Sequence, residues 1–341
     1  MAIRVGMVSL GCSKNQVDAE RMLYKLNEKG YDLVGDAALA DVAIINTCGF
    51  IESAKQEAID TILEFAELKK EGRIKKIIIT GCLAERYKDE VLSEIPEADA
   101  VVGIGSNDHI CDIVEKVMGG NQLTSFDSKL NLGLTGGRIQ TTLSFYSYLK
   151  IADGCSNCCS YCAIPSIRGK MRSVPMEELY NEAYEMAKNG VRELIVIAQD
   201  STRYGEDLYG KSMLPELLTK LCGIPQLKWI RVLYCYPERI TDELIDVMAR
   251  EDKIVKYIDM PIQHCNGEIL KNMNRCGDEN TLRELIAKLR ERIPGIILRT
   301  TLITGFPGET EEQFDELADF VKDMEFDRLG CFPYSAEEGT K

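Results

Sequence analysis

The sequence predicts a two-domain α/β protein. A small parallel α/β (Rossmann-like) domain is expected at residues 1–118, and an open, partial barrel of six β/α units at residues 144–341. Short apolar runs alternate with amphipathic helical patterns in both regions, as in parallel sheets covered by helices. Between them, residues 119–143 are polar, rich in glycine and without a clear period over most of their length, which predicts a linker.

The N-terminal domain is predicted to contain strands alternating with helices. Helical patterns occupy residues 15–28, 51–68 and 107–118. The strand candidates are residues 3–10, 42–46, 76–80 and 100–103. Each of the first three strands is followed within a few residues by a cysteine, so this domain is a candidate for a site at its strand ends.

The C-terminal domain repeats the alternation with helical segments between its strands. The strand candidates are residues 147–152, 193–198, 229–234, 257–262, 297–303 and 328–333. Six parallel units indicate an open barrel, shorter than the full barrel of about eight. In that architecture functional groups gather where strands end and loops begin.

Composition limits the classes of function. The net charge of -14 argues against a general affinity for nucleic acid and suits a basic protein partner, although acidity can also serve solubility alone. The sequence has neither an apolar run of the roughly 20 residues that a membrane span needs nor a signal-peptide pattern, so we expect a cytoplasmic protein without membrane contact. In such a protein thirteen cysteines indicate metal or redox chemistry.

The first cysteine set lies on one loop after the first barrel strand and consists of Cys155, Cys159 and Cys162. Three thiolates on a tight loop can hold three irons of a 4Fe-4S cluster and leave the fourth iron open. A zinc site is the alternative, but no fourth Cys or His nearby completes it. Cys158 is left out of this set, because two adjacent cysteines are hard to turn toward one cluster, and its role stays open.

The second set is dispersed in the N-terminal domain and consists of Cys12, Cys48 and Cys82. Each follows a different predicted strand and has a glycine beside it. Because parallel strands bring their carboxyl ends to one edge of a sheet, these cysteines can meet there. They would again leave one iron unligated. The alternative is that they are small buried core residues.

The spacing of the first set, with Tyr161 before its last cysteine, resembles the signature of the radical S-adenosylmethionine (SAM) superfamily. There the open iron chelates SAM, and an electron from the cluster cleaves it to a 5′-deoxyadenosyl radical. The resemblance therefore implies a catalytic role for Cys155, Cys159 and Cys162, and cofactor binding near Tyr161.

Over nearly its whole length the chain resembles the methylthiotransferase family. The similarity is closest to the RimO type, which modifies a ribosomal protein, and less close to the MiaB type, which modifies tRNA. The stretches that carry this distinction are residues 8–20, 162–173, 198–210, 233–246 and 257–275.

This resemblance implies methylthiolation of the β-carbon of an aspartate in small-subunit ribosomal protein number twelve. One SAM would methylate a sulfur held at the cluster of Cys12, Cys48 and Cys82, and a second would be cleaved at the other cluster. The cofactors implied are two 4Fe-4S clusters and SAM. The partners are the ribosomal protein, a sulfur donor and an electron donor, with no direct nucleic-acid substrate.

Further SAM contacts are implied at the strand ends of the barrel. Gln199 and Asp200 are candidates for binding the amino group, and Arg299 for the carboxylate. Gly305 lies in a segment that resembles the superfamily's region near the adenine, although a turn that opens a helix also explains it. Gln263 is a candidate pocket residue, whereas a structural role is expected for His264.

Two alternative functions remain at this stage. A MiaB-type tRNA adenosine methylthiotransferase uses the same chemistry, and the acidic charge disfavours it. A non-catalytic metal-binding interaction protein would bind metal without cleaving SAM. The family normally continues into a small C-terminal TRAM β-barrel, whereas this sequence stops at Lys341, so we expect either a fragment or a protein without that domain.

Overall fold

The computed structural model describes residues 2–340, apart from the side chains of residues 89 and 92. By its internal contacts the chain divides into two compact units. Unit 1 comprises Met1–Thr141 and Ala163–Gly169, and unit 2 comprises Thr142–Cys162 and Lys170–Lys341. Among the described residues, no helix is both long and apolar enough to cross a lipid bilayer.

Unit 1 is built on one parallel sheet. Its strands are β1 (Arg4–Ser9), β2 (Asp32–Val34), β3 (Val42–Thr47), β4 (Lys76–Gly81), β5 (Ala100–Val102) and β6 (Leu123–Ser125). They lie in the order β2-β1-β3-β4-β5-β6, and each neighbouring pair is parallel. Strand β3 is buried along its whole length, which explains its nearly continuous apolar run.

Helices cover both faces of this sheet. They are α1 (Ser13–Glu28), α2 (Glu52–Lys70), α3 (Cys82–Arg86), α4 (Lys88–Glu94), α5 (Ile110–Met118) and, from the later segment, α6 (Ile164–Arg168). Ile77 and Ile79 pack with α2, whereas Ile78 points to the other face and packs with α1 and α5. Alternate residues of one strand thus supply two cores, as the period of a strand requires.

The predicted α/β class with parallel sheets is confirmed, with differences at the margins of the sheet. Strands β2 and β6 were not predicted, because each spans three residues and shows no alternation that exceeds its surroundings. Strand β6 lies inside the predicted linker at residues 119–143. Residues 163–169 were predicted to belong to the C-terminal domain, but they group with unit 1.

Unit 2 contains strands in sequential β/α order. They are β7 (Tyr146–Lys150), β8 (Ala152–Asp153), β9 (Arg172–Ser173), β10 (Glu193–Ile197), β11 (Trp229–Val232), β12 (Tyr257–Asp259), β13 (Ile297–Thr304) and β14 (Arg328–Pro333). Parallel pairing gives sheets β11-β10-β7 and β12-β13-β14, while β8 pairs with β9 in the antiparallel sense. The six parallel strands coincide closely with those predicted for the open barrel.

Amphipathic helices connect these strands. They are α7 (Met176–Lys188), α8 (Glu206–Tyr209), α9 (Leu214–Cys222), α10 (Asp242–Arg250), α11 (Gly267–Asn272), α12 (Glu279–Arg292) and α13 (Glu311–Met324). Reciprocal side-chain caps fix the starts of two of them, with Asp278 and Thr281 at α12, and Thr310 and Gln313 at α13.

We expect the core of unit 1 to respond strongly to truncation at Leu26, which is 0% exposed, and weakly at Leu63, which is 50% exposed. The Leu26→Ala substitution should lower the free energy of unfolding by about 2–5 kcal/mol, because it leaves a cavity. Leu63→Ala should change it by no more than about 0.5 kcal/mol. Urea unfolding of both variants measures the difference, and equal losses would contradict the packing described.

Candidate metal centres

The dispersed cysteines of unit 1 lie at the ends of three neighbouring strands. Cys12 caps the N-terminus of α1 just after β1, Cys48 follows β3 directly, and Cys82 is the first residue of α3 after β4. Because β1, β3 and β4 are adjacent and parallel, these loops share one edge of the sheet. The structure therefore brings the predicted set together at that edge.

Two glycines make the close approach of these loops possible. Gly11 has a φ of +88°, and a Cβ added there would lie 2.7 Å from Cys48 Cβ and 3.0 Å from Cys48 Sγ. Gly81 has a φ of +97°, and an added Cβ would lie 2.4 Å from the Thr47 carbonyl oxygen. A side chain at either position would be strained and would push the cysteine loops apart.

Buried polar side chains tie the same strand ends together. The Asn15 amide donates to the carbonyl oxygens of Leu10 at 2.8 Å and Thr47 at 3.2 Å. Asn46 donates back to the Asn15 carbonyl at 2.9 Å, and Thr47 Oγ1 donates to the Thr80 carbonyl at 2.6 Å. These hydrogen bonds join α1, β3 and β4 beside the cysteines, and sequence reasoning did not find them.

Arg168 of α6 brings a buried positive charge to this site. Its guanidinium donates to Asp18 Oδ2 at 2.9 Å and to Asn15 Oδ1 at 3.3 Å. Nη2 also lies 3.6 Å from Cys82 Sγ, and the residue is 3% exposed. A guanidinium in this position favours the thiolate form that binds iron.

The three thiols differ in their surroundings. Burial alone would raise the pKa of Cys12. The positive charges of Lys14 and Arg168 and the backbone N–H groups have a larger opposite effect, so this pKa lies below its ordinary value. Burial raises the pKa of Cys48, and it raises the pKa of Cys82 to about 12 although Arg168 opposes it. Cys12 also borders a pocket of about 330 Å³.

These features suit a cluster better than a single ion. Within residues 2–340, no group of three or more His, Cys, Asp or Glu side chains is placed to hold one metal ion. The thiolates of a 4Fe-4S cluster each bind a different iron, so they need not converge on one point. Three thiols around a sheet edge, with a buried cation to balance thiolate charge, fit such a cluster.

The barrel cysteines of unit 2 lie on the loop after β8. Cys155 and Cys159 are buried, Cys162 is half-buried, and Cys158 is exposed with a φ of +54°. The exposure of Cys158 separates it from the buried pair, in line with its exclusion from the set. Burial raises the pKa of Cys155 to about 11, with the backbone N–H of Asn157 opposing it.

Asp200 is connected to this cysteine loop. Its Oδ2 accepts the Asn157 amide at 2.7 Å, and its Oδ1 accepts the Thr202 backbone N–H at 3.0 Å. Burial raises the pKa of Asp200, although these hydrogen bonds oppose it. Gln199 lies next to it at the end of β10, half-buried and without a side-chain hydrogen bond to the described residues. Asp200 therefore orients the loop, and Gln199 is available to a ligand.

The other predicted SAM contacts are placed as follows. Arg299 on β13 forms an ion pair with Asp259. Gly305 directly follows the same strand, with a φ of +72° and nothing within 4 Å of an added Cβ. His264 is fully buried, accepts the Asn266 N–H at 2.9 Å and lies 3.4 Å from Glu309 Oε1, contacts that suit the structural role predicted for it.

Gln263 is the clearest candidate for a ligand contact in unit 2. Its backbone has a φ of +70°, and its buried Oε1 has no hydrogen-bond partner among the described residues. An unsatisfied buried acceptor costs free energy, so a donor on a bound ligand would be favourable there. The amino group of SAM is such a donor, and this residue fits the cofactor.

Sequence reasoning missed three side chains around the barrel loop. Tyr236 Oη lies 2.7 Å from Cys159 Sγ, and Asn274 donates to the Cys158 carbonyl at 2.9 Å. Arg275 lies over the Tyr236 ring at 4.1 Å and near Tyr161 Oη at 3.5 Å. These residues lie far from the cysteines in sequence and have no spacing pattern, although all three fall within or beside the stretches that resemble the family.

We expect Gly11→Ala to prevent cluster binding in unit 1, because the new methyl group would clash with Cys48. Iron in anaerobically reconstituted protein should fall from about eight to about four atoms per chain. Gly30→Ala is the matched control, since Gly30 has a φ of +89° but nothing within 4 Å of an added Cβ. Full iron loading of Gly11→Ala would contradict the close approach described.

The thiols of the metal-free protein should differ in reactivity. At about pH 8, below the ordinary thiol pKa, Cys12 should react with iodoacetamide more than about tenfold faster than Cys82, because the thiolate is the nucleophile. Arg168→Gln should slow the reaction of Cys12. Mass spectrometry of alkylated peptides measures these rates, with exposed Cys276 as the reference, and equal rates for Cys12 and Cys82 would argue against the electrostatics described.

Comparison with known proteins bears on both units. Residues 4–103 match the uncharacterized protein family UPF0004, and residues 149–321 match the radical SAM superfamily. Among solved structures, the radical S-adenosylmethionine methyltransferase TsrM of Kitasatospora setae, with cobalamin and a [4Fe-4S] cluster bound, has a TM-score of 0.69 at 13% identity. The aligned region covers 98% of this chain and 75% of TsrM, and at this identity it shows the fold alone.

Closer relatives confirm the resemblance found in the sequence. The ribosomal protein uS12 methylthiotransferase RimO of Lachnoclostridium phytofermentans is 54% identical over 339 residues, covering 99% of this chain and 77% of that protein. The protein of the same name in Thermoanaerobacter sp. strain X514 is 52% identical over 338 residues, covering 99% and 77%. The chain therefore belongs to the radical SAM superfamily and, within it, to the RimO family of ribosomal protein uS12 methylthiotransferases.

Proposed function

We propose that this chain transfers a methylthio group to the β-carbon of an aspartate in ribosomal protein uS12. The relatives at about half identity carry the name of this activity and match nearly the whole chain. The observation that carries the proposal is the presence of two separate sets of three cysteines, one at an edge of the parallel sheet of unit 1 and one on the loop after β8. One cluster alone would not require the second set.

As a member of this family the chain is a transferase that uses SAM and 4Fe-4S clusters. We assign one cluster to Cys12, Cys48 and Cys82 and the other to Cys155, Cys159 and Cys162. When bound, these groups supply a sulfur acceptor for a methyl group and a radical that removes hydrogen from carbon. The fold's own contribution is to hold each set of thiols at a strand-end edge and to orient the bound molecules.

Acid-base groups of the chain do not offer an alternative route to this carbon. The two histidines are His109 and His264. The side chain of His109 is 61% exposed beside Asp127, and His264 is buried and hydrogen-bonded. An unactivated C–H bond resists deprotonation by such groups, so the reaction requires radical chemistry.

The binding of SAM in unit 2 is assigned to strand-end residues. Gln263 offers an unpartnered acceptor for the amino group, and the half-buried Gln199 is a second candidate. Arg299 can bind the carboxylate if its ion pair with Asp259 is shared or exchanged. Gly305 provides space without a side chain for an approaching ring, and Tyr161 lines the cysteine loop.

The substrate and the donors complete the proposal. Ribosomal protein uS12 is the protein substrate, in agreement with the names of the relatives. The net charge of -14 suits a basic protein partner more than a nucleic acid. A reduced sulfur source and a one-electron donor are required by the chemistry, since the chain supplies neither.

Mass spectrometry can test the activity directly. Reconstituted protein with SAM, a reductant, sulfide and uS12 should add a methylthio mass to one aspartate of uS12. Changing Cys12, Cys48 and Cys82 to alanine should abolish transfer while SAM cleavage continues, because only the barrel cluster remains. Changing Cys155, Cys159 and Cys162 should abolish both.

The assay also distinguishes other outcomes. Each triple variant should keep about four irons, because each set binds one 4Fe-4S cluster. Modification of tRNA in the same assay, without modification of uS12, would overturn the substrate assignment. Iron loss only with the barrel set would make the N-terminal cysteines core residues and would remove the proposed mechanism.

A further inference from the structure

Arg275 is a buried cation without a carboxylate partner. It is 7% exposed, and its guanidinium donates to the Pro261 carbonyl at 2.9 Å and reaches Tyr161 Oη at 3.5 Å. Within residues 2–340, excluding the side chains at 89 and 92, no Asp or Glu lies within ion-pair distance of it. Two other arginines with buried side chains have carboxylate partners, Arg168 with Asp18 and Arg138 with Glu20.

A buried charge without a counter-ion is destabilising, because the protein interior solvates charge much less well than water does. The face of the Tyr236 ring and the Tyr161 hydroxyl compensate only part of this cost. An anion close to Arg275 would supply the rest. The surroundings of its guanidinium therefore indicate which anion the site is built for.

The cysteine loop of unit 2 provides that anion when it is loaded with iron. Arg275 lies over the ring of Tyr236, with 4.1 Å between the guanidinium carbon and the ring centroid. Tyr236 Oη in turn lies 2.7 Å from Cys159 Sγ. Three thiolates that bind a cluster bring negative charge to this loop, next to the hydroxyl group of the Tyr236 ring that Arg275 covers.

The direction of the Tyr236 hydrogen bond follows from the same chemistry. A cysteine thiol can donate or accept, but a thiolate bound to iron can only accept. Tyr236 is then the donor to the Cys159 sulfur. The guanidinium on the ring face holds the ring in place and draws electron density from it, which makes the hydroxyl a better donor.

We propose that Tyr236 and Arg275 form a hydrogen-bond and charge relay to the barrel cluster: Tyr236 donates to the Cys159 ligand, and Arg275 is the buried counter-charge that positions Tyr236. The proposal rests on the cluster assignment made above. It gives both residues a positioning role that acts through the cluster ligand. Hydrogen bonds to ligand sulfurs and nearby positive charge stabilise the reduced, more negative cluster, so both residues raise its reduction potential.

The reduction potential tests Tyr236 in the full chain with Cys12, Cys48 and Cys82 changed to alanine, which leaves the barrel cluster alone. A redox titration followed by electron paramagnetic resonance gives the midpoint potential. Tyr236→Phe should shift it to a more negative value at unchanged iron content. The matched control is Tyr204→Phe, which also removes a buried tyrosine hydroxyl, bonded to the Val174 carbonyl at 2.9 Å, and should leave the potential unchanged.

Thermal unfolding tests Arg275 without any activity measurement. In the same background, we expect cluster loading to raise the melting temperature of the parent protein. The Arg275→Met substitution should make this increase smaller. Arg275→Lys, which keeps the charge, should recover part of it. The control is Arg231→Met, since Arg231 lies over the Tyr257 ring at 4.9 Å but pairs with Glu193 and is remote from the cysteine loop in the strand order.

The outcomes separate this proposal from the function it rests on. A parent protein that binds no iron would overturn both. A loaded parent whose potential is unchanged by Tyr236→Phe, or changed equally by Tyr204→Phe, would overturn the relay alone. If cluster loading raised the melting temperature of the parent and of Arg275→Met by the same amount, Arg275 would have no part in the relay. The loss of a purely structural arginine would destabilise the metal-free and loaded proteins alike.

Discussion

The parallel direction of neighbouring strands in unit 1 is the constraint on which its cysteine site depends. In unit 1 the cysteines lie many residues apart in sequence, and only the parallel pairing of β1, β3 and β4 brings their loops to one edge. These loops approach each other so closely that there is no space for a side chain at Gly11 or Gly81. The site is therefore a product of sheet register as much as of cysteine chemistry.

The two sites differ in the cation that is placed to balance the negative charge of the thiolates. In unit 1, Arg168 contacts the Cys82 sulfur while Asp18 already balances part of its charge. In unit 2, Arg275 lies over the Tyr236 ring, and none of the described carboxylates is within ion-pair distance of it. We expect cluster binding to change the electrostatic energy more at the site in unit 2 than at the site in unit 1. The reason is that Arg275 has no described carboxylate within ion-pair distance, whereas Arg168 has Asp18.

The sequence predicted the parallel strands well, since continuous apolar runs such as that of β3 mark buried strands. The three-residue and two-residue gaps of Cys155, Cys159 and Cys162 predict a ligand loop. The side chains around the sulfurs could not be predicted in this way. Tyr236 and Arg275 reach Cys159 through tertiary structure, and a single tyrosine or arginine carries no spacing signal.

The segment at residues 163–169 illustrates the same limit at the scale of an element. It follows Cys162 directly and shows nothing in its sequence that separates it from the barrel. Ala163 and Ile167 pack with Cys82, Ile104 and Leu132 of unit 1, and this placement brings Arg168 to Asp18. Contacts decide the placement of so short a helix, because five residues have little helical stability of their own.

Backbone strain is concentrated around the barrel loop and the strand ends of unit 2. Of the five described non-glycine residues with positive φ, Cys158, Tyr234, Gln263 and Asn274 lie on the cysteine loop, at strand ends of unit 2 or in contact with that loop. Each such conformation costs about 1–3 kcal/mol and persists only where its surroundings fix it. For Gln263 the fixing bonds are its own N–H to the Thr301 carbonyl at 2.9 Å and the Ile303 N–H to its carbonyl at 2.8 Å. Sheet hydrogen bonds therefore hold the residue in a conformation in which the described residues offer no donor to its buried side-chain oxygen, and a ligand that donates to this oxygen would remove the cost of burying it.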